Sequence, residues 1–162
     1  MTDTEKLAWM AGIVDGEGCI YLAKSERKDR PSVTFKQSLG VSNCNLKILN
    51  EFQNRWGGVI YTYIDKRPNY SNNSQWHCKQ SMIEPVLKEL LPFLVGKTEQ
   101  ANLVLDYIEH KKNYIRQKGG TEERHGGSSP LSEEERNYRI SMYEKCRELN
   151  KKGRFKNEQL QT

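Results

Sequence analysis

Apolar positions in the first part of the chain recur at helical intervals: Leu7, Met10, Ala11 and Val14 fall on one stripe. Thr2 and Glu5 stand at capping-box spacing, which predicts a helix opening near Thr2 to Thr4. Gly12 lies inside that helix, at a cost of about 1 kcal/mol relative to Ala, a cost explained if another backbone must come close. The period then changes to two. Ile20 and Leu22 take one face, and Tyr21, Ala23, Ser25 and Arg27 the other. The charged stretch from Ser25 to Pro31 reads as a hairpin loop. Beyond it Val33, Phe35, Leu39 and Val41 point inward, and Thr34, Lys36, Ser38 and Gly40 outward; Gln37 breaks the inward set.

A helix is expected over Asn45 to Trp56, stopped by Gly57 and Gly58. A second hairpin follows. Val59 to Ile64 and Gln75 to Gln80 are its strands, Lys66 to Ser74 its turn, with Trp76 and Cys78 inward and Gln75, His77 and Lys79 outward. Next comes a helix over about Met82 to Leu91. Thr98 is the expected cap of a long helix through Ala101, Val104, Leu105, Ile108 and Ile115, stopped by Gly119 and Gly120. Ser132 and Glu135 open a last helix through Tyr138, Met142, Cys146 and Leu149. The order is α-β-β-α-β-β-α-α-α, an α+β chain without a solenoid repeat. One domain is expected, with a core over about 5–118, a loop over 119–130, a helix over about 131–151 and a frayed tail over 152–162.

Composition narrows the classes. The chain of 162 residues is 29% charged and 35% hydrophobic, with a net charge of +5. A modest basic excess suits a polyanionic partner without requiring one. The apolar runs fall short of the roughly 20 residues that cross a bilayer. The stretch Met1 to Lys6 has neither the basic region nor the apolar core of a signal peptide, so an intracellular protein without a targeting segment is expected. Cys19, Cys44, Cys78 and Cys146 form no CxxC pair, which excludes a zinc ribbon. His77, His110 and His125 match no zinc-helix spacing.

The outward face of the strands collects Tyr21, Ser25, Arg27, Thr34, Lys36, Ser38, Tyr61, Tyr63, Arg67, Gln75, His77 and Lys79. These side chains donate and accept hydrogen bonds, and antiparallel ribbons can enter a major groove, where base edges carry a distinguishable code. Lys and Arg at the rims can hold phosphates. A solvated polar face is the plain alternative reading.

The sharpest signal is the run Met10-Ala11-Gly12-Ile13-Val14-Asp15-Gly16-Glu17-Gly18, a small-residue helix that ends in a carboxylate and passes straight into a strand. It resembles the LAGLIDADG motif of homing endonucleases, with Met10, Ile13, Val14, Gly16 and Glu17 as departures from its spelling. Pro92-Phe93-Leu94, Lys97 and Gln100 to Leu105 look like that family's segment around an active-site lysine. The likeness spans roughly Leu7 to Leu149, and the last helix, from Pro130, also resembles the family's C-terminal helices. It implies the αββαββα LAGLIDADG homing-endonuclease fold, with a curved antiparallel sheet and extra C-terminal helices.

The resemblance carries further expectations. A single motif implies a homodimer in which Ala11, Gly12, Asp15 and Gly16 line the contact between two motif helices, Asp15 bonding backbone near the partner's helix end. Glu17 takes the position of the metal-binding carboxylate, assisted by the Gly16 carbonyl, with Mg²⁺ (or Mn²⁺) as cofactor. Lys97 falls near the scissile phosphate and Asn43 near a water-positioning residue; Asn45 or Lys47 stands where a second polar or basic group belongs. The plain alternatives are that Asn43 or Asn45 caps the following helix and that Lys97 is a surface lysine. The implied activity is site-specific cleavage of double-stranded DNA at a long, pseudo-palindromic target, leaving 3′ overhangs. The rival readings are an intron RNA maturase and a DNA-binding regulator of the same fold that does not cut.

Overall fold

The computed structural model describes residues 1–27, 30–64, 66–67, 72–117 and 131–151, except for the side chains of residues 26–27 and 30–32. The expected loop over 119–130 and tail over 152–162 lie outside the described residues. The elements are α1 (Asp3–Glu17), β1 (Gly18–Arg27), β2 (Arg30–Asn43), α2 (Leu46–Trp56), β3 (Val59–Tyr63), β4 (Asn73–His77), α3 (Ile83–Leu90), α4 (Thr98–Gln117) and α5 (Glu133–Leu149). Short 3₁₀ turns over Gln80–Met82 and Leu91–Phe93 flank α3.

The strands form one antiparallel sheet in the order β1-β2-β4-β3. Its inner face joins Ile20, Leu22, Phe35, Leu39, Val41 and Trp76 to Met10, Val14, Phe52, Leu87, Leu90, Val104 and Tyr107 from the helices. Each large apolar side chain so buried contributes about 1.5–3 kcal/mol. Phe52 and Trp56 of α2 pack against Trp76 of β4 with ring centroids 5.2 and 6.2 Å away, which seats α2 on the sheet.

Local signals explain the boundaries. Thr2 accepts from the Glu5 amide while the Glu5 carboxylate accepts from the Thr2 amide, the full capping box. Asn45 caps α2 by accepting from the Lys47 amide. Gly57 and Gly58 end α2 with φ of 69° and 94°. A Cβ on Gly58 would lie 2.4 Å from the His77 carbonyl oxygen, so the position demands glycine twice over.

Several expectations need correction. The stretch read as a loop from Ser25 to Pro31 is largely ladder: β1 runs to Arg27 and β2 begins at Arg30, with a register shift at Glu26 and Arg27. Charged residues do not end a strand whose backbone partners persist. β4 starts at Asn73 and ends at His77, not at Gln80, because the chain turns into a 3₁₀ segment after Lys79. The Thr98 hydroxyl donates to the Leu94 carbonyl, 2.8 Å away, and so does not accept as a cap. In α5, Ser132 accepts from the Glu135 amide. The Glu135 carboxylate, however, accepts from Arg139 and meets His110 Nε2 at 2.6 and 2.8 Å, leaving the box half made.

α5 also closes one rim of the sheet. The Asn150 side-chain amide donates to the Ile20 carbonyl of β1 at 3.0 Å. A covered position on an edge strand makes it a poorer template for another chain.

Candidate functional site

α1 ends where the sheet begins. Glu17 is its last residue and Gly18 opens β1, so the Glu17 carboxylate stands exposed at a corner between helix and sheet. Met10, Ala11 and Val14 face the core, and that orients the helix. Gly12 and Gly16 are exposed, and a Cβ on either would meet nothing within 4 Å. Ala11 corrects its expected place at a helix contact: it is 0% exposed, held in this chain's own core, because it shares a stripe with Val14 and Leu7 rather than with Gly12.

Asp15 makes its bonds within the chain. Its carboxylate turns to its own chain, accepting from the Val95 and Lys97 amides at 2.8 Å each. The Lys97 ammonium donates in return to the Asp15 carbonyl. Residues 95–97 precede α4, whose Ala101 amide donates to the Lys97 carbonyl at 3.0 Å. A carboxylate at a helix N-terminus is favoured by the helix dipole, and a cation at a helix C-terminus likewise. The last turn of α1 has no basic residue of its own; Lys97 supplies the charge. The Lys97 ammonium also lies near Cys19. Partial burial pushes the Cys19 thiol up, and Lys97 draws it partly back.

The structure therefore brings Gly16, Glu17 and Lys97 to one corner. Asn43 lies at the same end of the sheet, two residues past the Gly18–Val41 pair. It has the inward parity of Val41, and its side-chain oxygen accepts from the Asn45 amide at 2.8 Å. Asn43 thus orders the turn into α2, while the cap itself is Asn45.

The outward face follows from the register. Cys19, Gly40, His77 and Val59 form one row, Tyr21 and Ser38 a second, and Ser42, Gln75 and Tyr61 a third. Ala23 with Lys36, and Ser25 with Thr34, extend it along the β1–β2 arm, and Tyr63 pairs with Asn73 at the β3–β4 end. Tyr61 and Tyr63 are 53% and 58% exposed, an unusual state for aromatic side chains without a partner surface. The Tyr61 ring meets His77 edge-on at 5.5 Å.

Two expected members of the face are placed differently, and the side chain of a third, Arg27, lies outside the described residues. Arg67 sits in the connection after β3 rather than on a strand. Lys79 lies beyond β4 with its ammonium toward Gly57. Sequence reasoning missed Ser42 and Asn73, which continuing the alternation through the ends of β2 and β4 would have found.

An antiparallel sheet in an αββαββα order, with a carboxylate-tipped helix at its end, is the LAGLIDADG homing-endonuclease fold. The homing endonuclease I-CvuI, solved in complex with the I-CreI target in the presence of 2 mM Mg with the DNA not cleaved, matches at a TM-score of 0.66 and 25% identity, over 94% of this chain and 87% of that one. The LAGLIDADG homing endonuclease I-GzeII, solved with its DNA target, matches in fold at a TM-score of 0.52 and 16% identity, over 67% of this chain and 36% of that one. The DNA endonuclease I-CreI of Chlamydomonas reinhardtii is 32% identical over 111 residues, 65% of this chain. The chain spans 63% of the length of that curated relative. No family model matches the chain. No described helix is long and apolar enough to cross a membrane.

Proposed function

We propose that this chain is a single-motif LAGLIDADG homing endonuclease that cuts double-stranded DNA as a homodimer with Mg²⁺. The observation that carries the reading is the Lys97 ammonium on the Asp15 carbonyl, one residue before Gly16 and two before Glu17, at the end of α1 where a polar, aromatic-bearing sheet face begins. The resemblance to I-CreI and I-CvuI, which are endonucleases, supports it.

The donor set fits a hard divalent ion. In the last turn the Gly18 amide takes the Val14 carbonyl and Lys97 the Asp15 carbonyl, so the Gly16 carbonyl is the one beside Glu17 at the negative end of the helix. Among the described residues no three His, Cys, Asp or Glu side chains gather into a cage. An ion at Glu17 would therefore draw its remaining oxygens from phosphate, water and a second copy of the chain. That is the physical argument for the dimer, and the bare outer edge at Gly12 and Gly16 leaves room for a second helix. Such an ion polarises the scissile phosphate and lowers the pKa of an attacking water.

The rest is the chain's own work. Glu17 holds charge and geometry at the phosphate. Lys97 stabilises the negative charge that builds on the phosphoryl oxygens. The outward rows from Cys19 to Tyr63 lie against the duplex, with Lys36 toward phosphate and Tyr21, Gln75 and His77 toward base edges. Cleavage across the minor groove of a pseudo-palindromic target would leave short 3′ overhangs.

The test is cleavage of a randomised duplex library by wild type and Glu17→Gln in Mg²⁺. Wild type cuts a defined subset; the variant loses on the order of 10²-fold or more in rate yet still retards the same DNA on a gel. Equal cutting by both removes Glu17 from the mechanism.

A further inference from the structure

We propose that Asp15 is a positioning residue for Lys97, holding it against the tip of α1 within the same chain, an inference that rests on the nuclease reading above. Both oxygens of the Asp15 carboxylate are committed, one to the Val95 amide and one to the Lys97 amide, each at 2.8 Å. The turn wraps the carboxylate closely enough that a Cβ on Gly96 would stand 3.6 Å from its Oδ1. Little else fixes this turn to α1. Val95 is 89% exposed, so no apolar burial anchors it, and only Leu94 beside it enters the core.

The bonds form a closed loop. The Asp15 side chain fixes the Lys97 backbone, and the Lys97 side chain returns to the Asp15 backbone, two residues before Glu17. A lysine side chain is flexible and loses considerable rotamer entropy when held in one place. Fixing its Cα at two amides removes part of that search. Asp15 needs neither metal nor DNA for this, and it acts on the reaction only through Lys97. The role also differs from bonding to a partner helix, since the two amides that the carboxylate accepts from, those of Val95 and Lys97, belong to its own chain.

The experiment is a double-mutant cycle on the full chain, read as single-turnover cleavage and as gel-shift affinity. Asp15→Asn keeps the size but can accept at only one oxygen. It is expected to slow cleavage between about tenfold and a hundredfold, with DNA affinity within about twofold. In a Lys97→Met background the same change should have no further effect on rate. If Asp15→Asn slows the Lys97→Met enzyme by the same factor as it slows wild type, Asp15 does not act through Lys97 and the inference falls.

Val95→Pro guards against a variant that fails to fold. It removes one donor without touching Asp15, and Leu94 already has the extended conformation (ψ of 135°) that a following proline prefers. It should reproduce the same non-additive pattern; additivity there counts equally against the inference. A wild type that does not cut DNA at all overturns the nuclease reading itself, a result distinct from additivity in an active enzyme.

Discussion

At the scale of single residues, two glycines of the chain do opposite things. Gly58 is fixed by its surroundings: a φ of 94° and a carbonyl oxygen 2.4 Å from the missing Cβ leave no room for a side chain. Gly58→Ala is expected to lose at least about 2 kcal/mol in urea unfolding, since backbone strain and a clash with His77 add. Gly12 touches nothing in its own chain. The sequence signalled both, through paired glycines after an amphipathic helix and a glycine inside one. It could not signal the partner of Asp15, which lies 80 and 82 positions away at Val95 and Lys97. No local periodicity encodes a contact from a side chain to distant backbone amides. The burial of Ala11 is hidden for a related reason: a small residue suits either a core or a contact, and only the rotation of α1 in the fold separates the two.

At the scale of elements, what was legible is what side chains dictate. The capping box at Thr2, the stop at Gly57 and the alternation through Phe35, Leu39 and Val41 all stand as read. Strand lengths in the polar arms were not legible, because a ladder of backbone bonds carries β1 to Arg27 through residues without an apolar face. Ion pairs between elements were equally hidden. Glu84 of α3 accepts from Lys112 of α4 and from Lys88 of its own helix. The Lys112 bond first, then the Lys88 bond, holds the Glu84 carboxyl below its ordinary value of 4.5. A depressed carboxylate stabilises the fold above the unfolded value, and the gain is lost as pH falls through the lower folded one. Melting measured between pH 6 and pH 2 should therefore show an acid-side decline that Glu84→Gln flattens in part. An unchanged decline would mean the α3–α4 tie contributes nothing.

At the scale of the whole molecule, Gly12 becomes a test of assembly. In an isolated helix Gly12→Ala should add about 1 kcal/mol of stability, since alanine is the better helix former. If a second α1 lies against that edge, the added methyl groups push the two helices apart. The expected outcome is a variant whose melting temperature rises at low protein concentration while its dimer dissociates more readily in sedimentation. A variant that is more stable at every concentration, with an unchanged mass, would place the dimer contact elsewhere.

The two rims of the sheet carry a separate consequence. One carbonyl of β1, that of Ile20, is taken by Asn150, whereas the other edge strand, β3, presents Val59, Tyr61 and Tyr63 to solvent. Open-ended polymerisation through strands requires two free rims on every molecule, one to give and one to receive. With the Ile20 carbonyl of β1 already taken by Asn150, strand-to-strand association is expected to favour the β3 rim, and pairing head-to-head through β3 uses up that rim on both molecules, so crowding is expected to drive pairing by this route before fibres.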